Sequence, residues 1–132
     1  MVKIILVTHG HLAKEMLDTA AQIIGKPADD GFATFAVTTT ASVQQEAEKL
    51  QKALKECQDR AVIITDIFGG SATNISLTAS KMMPNCHVIT GLNLSMLLTA
   101  INSRKKLTAK ELAGKIEADG KRAVINAPEL LI

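Results

Sequence analysis

The sequence contains no tryptophan and no tyrosine, and phenylalanine occurs only three times in 132 residues. Surfaces that stack nucleic-acid bases depend on aromatic rings, so this shortage argues against such a surface and against an aromatic platform for sugars. The 15 basic and 13 acidic residues give a net charge of only +2 and are scattered along the chain. The charge pattern therefore gives no indication of a nucleic-acid partner.

Cysteine is also scarce. Cys57 and Cys86 lie far apart, without the spacing of a zinc site or a redox pair, which favours two thiols in a reducing compartment. No stretch approaches the roughly 20 apolar residues of a membrane span, and the amino-terminal apolar run is too short for a signal peptide. We therefore expect an unprocessed cytoplasmic protein that uses no metal and no cofactor.

Hydrophobic residues, by contrast, are plentiful. They make up 47% of the chain, enough for a core without disulfides, and no repeat or linker divides the sequence. We expect one domain over residues 1–132. Apolar periodicity and turn signals predict five helices, over about 11–24, 43–57, 72–83, 96–101 and 108–120. They also predict five strands, near residues 4–7, 32–37, 61–65, 86–90 and 122–126.

This alternation is typical of a parallel sheet with helices on both faces. We predict a three-layer α/β fold whose mainly parallel sheet has the order 2-1-3-4. The fifth strand, Arg122 to Asn126, is predicted to be short and antiparallel and to be followed by an apolar tail ending in Leu130, Leu131 and Ile132. A lone edge strand with such a tail favours association, so we expect a homodimer that exchanges this strand.

Two special loops follow the first and third strands. His9 ends the first strand and precedes Gly10, whereas Asp66 follows the third strand and leads into Gly69-Gly70-Ser71. Strands 1 and 3 are neighbours in the order 2-1-3-4, and their loops leave toward opposite faces of the sheet. His9 and Asp66 are therefore predicted to flank one crevice at the carboxyl edge.

These residue types fit phosphoryl transfer. A histidine that attacks phosphorus needs one neutral ring nitrogen, while a carboxylate on the other nitrogen fixes the tautomer and stabilises the developing charge. Backbone N–H groups and a hydroxyl at a helix start can bind the phosphoryl oxygens without a metal. We assign His9 and Asp66 as catalytic residues, and Thr8, Gly69, Gly70 and Ser71 as phosphoryl-binding residues.

Each element also has a structural interpretation. His9 could be an ordinary loop residue, and Asp66 a turn former or cap. Ser71 could be a helix N-cap that bonds the amide of Asn74. The pair His9-x-His11 could bind a metal, but no acidic or cysteine cluster completes a coordination shell. His11 is otherwise expected to be a solvated residue at a helix start and His87 a structural one. It is the joint occurrence of the two loops that favours an active site.

Three segments then indicate a family. Ile5–Gly10, Asp66–Asn74 and Gly91–Leu97 match, in order, three signatures of the IIA component of the mannose-family sugar phosphotransferase system, which the chain resembles over nearly its whole length. The resemblance implies that His9 is transiently phosphorylated, that Asp66 supports its ring, and that Ser71 with nearby amides holds the phosphoryl group.

The resemblance also implies partners. Family members accept the group from a small phosphocarrier protein, charged from phosphoenolpyruvate, and pass it to a IIB component that phosphorylates sugar arriving through the membrane components. They are typically cytoplasmic α/β homodimers with an exchanged carboxyl-terminal strand. Two positions depart from the family pattern, because Ala72 and Ser95 stand where proline is usual. Proline there mainly pre-sets the backbone, so we expect a looser loop with its chemical groups intact.

Three other classes of protein are alternatives. The segment Thr8-His9-Gly10 is similar to one in the histidine phosphatases. Those enzymes carry arginine at the position of Thr8 and need further arginines, whereas this chain has only Arg60, Arg104 and Arg122. Receiver domains share the predicted sheet order but need an acidic pair at Thr8-His9. A non-catalytic regulatory module, phosphorylated on His9 only to change a partner's behaviour, is the third alternative. The transported sugar is not specified by the sequence.

Overall fold

The computed structural model describes residues 1–38, 40, 42–58 and 60–131. Strands and helices alternate through most of this length. The strands are β1 (Lys3–His9), β2 (Phe32–Val37), β3 (Ala61–Thr65) and β4 (Cys86–Ile89). The helices are α1 (Leu12–Ile24), α2 (Val43–Glu56), α3 (Ser71–Ser80), α4 (Leu94–Ser103) and α5 (Ala109–Arg122), followed by a 3-10 helix over Ala127–Leu131.

The four strands form one parallel sheet in the order β2-β1-β3-β4, which confirms the predicted α/β class and strand order. β1 and β3 are the central strands, and their apolar runs are almost completely buried because helices cover both faces. Val7 pairs with Thr65 in the register of these strands, so β1 and β3 end side by side. The residues that follow them therefore meet at the carboxyl edge.

Alternate residues of the central strands feed two separate cores. On one face, Ile4 and Leu6 pack with α1, α4 and α5. On the other face, Ile5 and Val7 pack with α2 and α3. This period of two places α1 and α3 on opposite faces. The loops after β1 and β3 consequently leave the sheet in opposite directions, as predicted, and the crevice between them opens at their shared end.

Most helix boundaries follow local capping chemistry. Ser42 caps α2 by accepting a hydrogen bond from the Gln45 N–H, and Thr108 forms a reciprocal capping box with Glu111 at the start of α5. Gly25 ends α1 in the left-handed conformation, with φ of 89°. No helix among the described residues is both long enough and apolar enough to cross a membrane.

The predicted end of α5 is wrong, because Gly120 does not stop the helix. A Cβ on Gly120 would lie 2.6 Å from the Met96 Cγ, and the Asn93 side chain donates a hydrogen bond to the Gly120 carbonyl oxygen. This glycine therefore permits close packing against the start of α4, and α5 continues to Arg122. The strand predicted over residues 122–126 is absent from the described chain, where 124–126 are exposed and belong to no strand.

Helix α3 is shorter than predicted. It ends at Ser80 rather than near Met83, and a turn closed by the hydrogen bond from the Met83 N–H to the Ser80 carbonyl precedes Pro84. The N-cap bond from Ser71 to Asn74, considered as an alternative role of Ser71, is not the one formed. The Asn74 N–H donates instead to the Gly70 carbonyl, which makes Gly70 the N-cap and Ser71 the first helical residue.

Candidate active site

His9 is the last residue of β1 and lies at the carboxyl edge of the sheet. Its neighbours in the strand are fully buried, but the His9 side chain is 46% exposed. Gly10 follows with φ of 54°, a left-handed conformation that lets the chain turn sharply into α1. The His9 backbone is thus held by a buried strand, while its imidazole is partly exposed to solvent.

One oxygen of Asp66 holds His9 at two points. Asp66 Oδ2 accepts a hydrogen bond of 2.9 Å from the His9 main-chain N–H and lies 2.7 Å from the ring Nδ1. The other oxygen, Oδ1, accepts from the Ile67 N–H at 2.9 Å. The two contacts of Oδ2 hold the carboxylate at the end of β1, and the contact of Oδ1 holds it within its own loop. The structure therefore brings together the two residues that the sequence predicted as a pair.

The electrostatics of this pair define the histidine tautomer. Burial acts to raise the pKa of Asp66, but the hydrogen bonds from the His9 main chain and ring and from the Ile67 N–H outweigh it and lower that pKa below its ordinary value of 3.8. Asp66 is consequently an ionised acceptor at neutral pH. Nδ1 must then carry the hydrogen, so a neutral His9 has its lone pair on Nε2. Within the described residues, no hydrogen bond is made to Nε2.

The amino terminus of α3 forms the opposite wall of the site. Its N-cap residue, Gly70, supplies no side-chain cap, and the amides of a first helical turn have no carbonyl partner within the helix. Ser71 is exposed at the first helical position. These donors and the positive end of the helix dipole are suited to an anion. Gly69 precedes them with φ of 83°, which turns the loop into the helix.

Gly70 also contacts the histidine ring closely. A Cβ built on Gly70 would lie 3.2 Å from the His9 Cε1 and 3.0 Å from the Ile67 Cγ2. Both distances are shorter than ordinary carbon contacts. The absence of a side chain at Gly70 therefore allows the start of α3 to approach the ring at Cε1, the carbon between its two nitrogens.

Thr8 occupies a different environment from the other predicted site residues. It is fully buried, its Oγ1 accepts a 2.8 Å hydrogen bond from the Ala13 N–H at the start of α1, and its hydroxyl hydrogen is directed to the His9 carbonyl oxygen at 3.2 Å. These bonds tie β1 to α1. Thr8 thus supports the backbone around His9, whereas its direct role in binding a phosphoryl group stays a prediction.

The other histidines lie outside this arrangement. His11 is the N-cap of α1 and is exposed, as the sequence predicted. His87 is partly buried in β4. Among the described residues, no group of three or more histidine, cysteine or acidic side chains is arranged to hold a metal ion. The chemistry available at the carboxyl edge is therefore that of His9, Asp66 and the start of α3.

Sequence reasoning missed two buried hydroxyls beneath the site. Thr65 Oγ1 lies 2.9 Å from Thr73 Oγ1, and the Thr73 hydroxyl is hydrogen-bonded to the Ile67 carbonyl at 2.7 Å. A threonine that ends a strand and a second threonine in the first turn of a helix are common, so neither position was distinctive. Their contact across eight residues is visible only once the loop between them is folded.

Comparison with known proteins identifies the family. A family model described as the PTS system fructose IIA component, and labelled EIIA-man, matches residues 3–117. The chain belongs to this mannose-type IIA family of the sugar phosphotransferase system. The family predicted from the three sequence segments is thus confirmed. The matched range contains the His9, Asp66 and Gly91 segments, whereas the carboxyl-terminal tail lies beyond it.

Individual relatives agree with this assignment. The PTS system sorbose-specific EIIA component of Klebsiella pneumoniae is 29% identical over 118 residues, covering 89% of this chain and 86% of that protein. The PTS system mannose-specific EIIAB component of Escherichia coli (strain K12) is 26% identical over 78% of this chain, which spans only 32% of that protein.

A solved structure supports the fold directly. The mannose/sorbose specific IIA subunit of the phosphotransferase system from Enterococcus faecalis superposes with a TM-score of 0.84 at 31% identity, covering 95% of this chain and 93% of that one. EIIA from Streptococcus agalactiae gives a TM-score of 0.82 at 26% identity. The IIA family and its α/β fold therefore agree across sequence and structure.

Proposed function

We propose that this IIA component carries a phosphoryl group on Nε2 of His9. It would accept the group from the phosphocarrier protein and pass it to a IIB component in the cytoplasm. The observation that carries the proposal is the 2.7 Å contact between Asp66 Oδ2 and His9 Nδ1. That contact occupies one ring nitrogen and leaves the lone pair on the other, which lies on an exposed side chain.

The proposed transfer is an in-line displacement. The Nε2 lone pair forms the new N–P bond while the bond between phosphorus and the donor atom breaks, and the bonding pair leaves with the donor. The ring gains positive character as the bond forms, and the Asp66 carboxylate on Nδ1–H stabilises it. The phosphoryl oxygens would contact the first amides of α3 and the Ser71 hydroxyl. Transfer to the IIB component is the same step in reverse, with a new acceptor.

Labelling from phosphoenolpyruvate, with the general phosphotransferase enzymes and phosphocarrier protein supplied, tests this proposal. The wild-type chain is expected to take up label and His9→Ala to take up none. His11→Ala and His87→Ala are matched controls, because each removes an imidazole away from the Asp66 contact, and both are expected to label normally. Label retained by His9→Ala would refute the assignment.

Onward transfer separates a carrier from a regulatory module. A carrier must lose its label when a purified IIB component is added, whereas a module phosphorylated only as a signal would keep it. Relatives of this one family are named for different sugars, namely sorbose, mannose and fructose. We therefore propose that sugar identity is set by the IIB and membrane components.

We also propose that the protein is a homodimer formed through the β4 edge. β4 is the last strand of the sheet, and beside it lies a groove of about 540 Å³ lined by residues that include Leu77, Val88 and Val124. Val124 and Leu130 are 84% and 68% exposed in the single chain. An added strand from residues 122–126 of a second subunit would pair the open edge and cover these apolar side chains.

Removal of residues 124–132 tests the dimer without shortening α5. Light scattering is expected to give a dimer for the full chain and a monomer for the truncated one. A truncated chain that stays dimeric, with the melting temperature of the full chain, would show that this segment does not build the interface.

A further inference from the structure

The loop that carries Asp66 is anchored by one buried hydroxyl. Thr73, in the first turn of α3, is 2% exposed, and its Oγ1 contacts the residues on both sides of Asp66. It lies 2.9 Å from Thr65 Oγ1, on the residue before Asp66, and 2.7 Å from the Ile67 carbonyl oxygen, on the residue after it. A single side chain from α3 therefore bonds to the residues immediately before and after Asp66.

The Ile67 carbonyl oxygen, the last acceptor, determines the direction of these hydrogen bonds. A carbonyl oxygen can only accept, so the Thr73 hydroxyl hydrogen is donated to Ile67. Thr73 Oγ1 must then accept the hydrogen of Thr65, which is fully buried at the end of β3. The result is a one-way chain from the Thr65 hydroxyl through the Thr73 hydroxyl to the Ile67 carbonyl.

The Ile67 carbonyl links this chain to the active site. The Gly70 N–H lies 3.5 Å from the same oxygen, and the Ile67 N–H donates to Asp66 Oδ1. Movement of the Ile67 backbone, through its N–H and its carbonyl, would therefore displace both the Asp66 carboxylate and the start of α3. Asp66 Oδ2 makes two bonds to His9, at 2.7 and 2.9 Å, so a small displacement lengthens both.

We infer that Thr65 and Thr73 are positioning residues that fix the Asp66 carboxylate on His9 Nδ1 and thereby set the His9 tautomer. The inference rests on the proposed phosphoryl transfer for its effect on rate, but the tautomer itself is a property of the free protein. Among the hydrogen bonds of the described residues, none joins either threonine to the His9 ring, and neither threonine supplies a group to the proposed reaction.

Thr73→Val tests the inference, because valine has nearly the same shape but no hydroxyl. It breaks the chain at its centre and leaves the Thr65 hydroxyl and the Ile67 carbonyl without this partner. We expect phosphorylation of His9 to slow on the order of tenfold, since sub-ångström misplacement of reacting groups has large effects on rate. In ¹⁵N-histidine NMR, we expect the His9 resonances to shift from the Nδ1–H tautomer toward a mixture.

Two variants control for general damage to α3. Thr73→Ser restores the hydroxyl and is expected to recover the wild-type rate and tautomer. Ser76→Ala removes another fully buried hydroxyl from the same helix, which donates to the Ala72 carbonyl at 2.8 Å, and is expected to leave the His9 resonances unchanged. If Ser76→Ala shifts His9 as much as Thr73→Val does, a positioning role is refuted.

Thr65→Val provides a second route if Thr73→Val does not fold. It removes the first donor but keeps the bond from Thr73 to Ile67, so we expect a smaller slowing of about threefold with a partial tautomer shift. A folded Thr73→Val or Thr65→Val whose His9 resonances match the wild type would overturn the inference. If wild-type His9 takes no phosphoryl group, the proposed function fails, while the NMR result still decides the positioning role.

Discussion

At each end of the sheet a basic side chain contacts an aspartate, and the basic side chains of the two contacts, Arg104 and His9, differ in exposure. At the amino edge, Arg104 is 6% exposed, donates from Nε to the Val2 carbonyl and from Nη1 to Asp29, and lies 5.7 Å from the Phe32 ring centre. At the carboxyl edge, the His9 side chain is 46% exposed and is bonded through Nδ1 alone.

This difference separates a charge that stabilises the fold from a group available for chemistry. The Arg104 guanidinium is enclosed by backbone, carboxylate and ring, and Gly31 has no side chain where a Cβ would lie 2.0 Å from it. His9 is anchored to Asp66 through Nδ1, but its side chain remains 46% exposed. Removing Arg104 should therefore affect stability, whereas changing the His9 site should affect transfer.

The largest stability effect is expected for Arg104→Ala. The substitution leaves a cavity and removes the buried donors to the Val2 carbonyl and the Asp29 carboxylate, and should lower the free energy of unfolding by about 3 kcal/mol. Urea denaturation measures it. Lys105→Ala is the matched control, because Lys105 also contacts Asp29 but is 61% exposed, and should change stability by less than about 1 kcal/mol. Equal losses in the two variants would contradict a structural role specific to Arg104.

Asp66→Asn should have the largest effect on transfer short of removing His9. Asparagine keeps the shape but replaces one acceptor oxygen by an amino group, which must face the N–H of either Ile67 or His9. We expect phosphorylation to slow on the order of a hundredfold, because the charge on the ring is no longer balanced. The rate is measured with phosphorylated carrier protein in excess. Wild-type activity in this variant would mean that Asp66 only forms the turn.

A pair of glycine substitutions compares the two edges directly. Gly70→Ala keeps an allowed backbone conformation, with φ of −84° and ψ of 176°, but its Cβ would press on the His9 ring. It should slow transfer about tenfold with little loss of stability. Gly31→Ala, whose Cβ would overlap the Arg104 guanidinium, should lower stability by about 1–3 kcal/mol and leave transfer normal. Identical profiles for the two variants would remove the distinction between the edges.

The smallest effect is a pH dependence of stability at the His9 site. The folded state lowers the pKa of Asp66 below 3.8, so the unfolded chain binds its proton more readily. The stabilisation is therefore fully present above pH 3.8 and is lost as the pH falls through the folded pKa. Thermal melts should show a difference between wild type and Asp66→Asn at pH 7 that shrinks below pH 3.8. A constant difference would mean that the Asp66 charge does not contribute.

Much of this arrangement was predictable from local sequence. Short-range patterns predict the apolar runs of β1 and β3 and the caps at Ser42 and Thr108. The alternation of strands and helices along the chain favours the observed strand order, and the pairing of His9 with Asp66 followed from that order. The start of α3 was predicted nearly correctly because glycines and a serine precede an apolar stripe.

Features that depend on tertiary contacts were not predictable. Gly120 was predicted to end α5 because glycine usually does, but packing against Met96 reverses that role. The hydrogen bond that ties the buried Thr8 hydroxyl to the start of α1 was not foreseen, and a direct role of Thr8 in phosphoryl binding stays a prediction. The chain from Thr65 to Thr73 depends on the folded loop. The strand predicted over 122–126 is absent from the described chain, and its formation with a second subunit stays a proposal.

We propose that Asp66, by binding the Nδ1–H of His9, leaves the Nε2 lone pair to accept the phosphoryl group. The most direct test is NMR of ¹⁵N-histidine-labelled protein, phosphorylated through the phosphocarrier protein, with phosphorus–nitrogen coupling used to locate the bond. We expect coupling to Nε2 of His9, with Nδ1 still protonated and hydrogen-bonded to Asp66. Coupling to Nδ1 of His9, or to either nitrogen of His11 or His87, would contradict it.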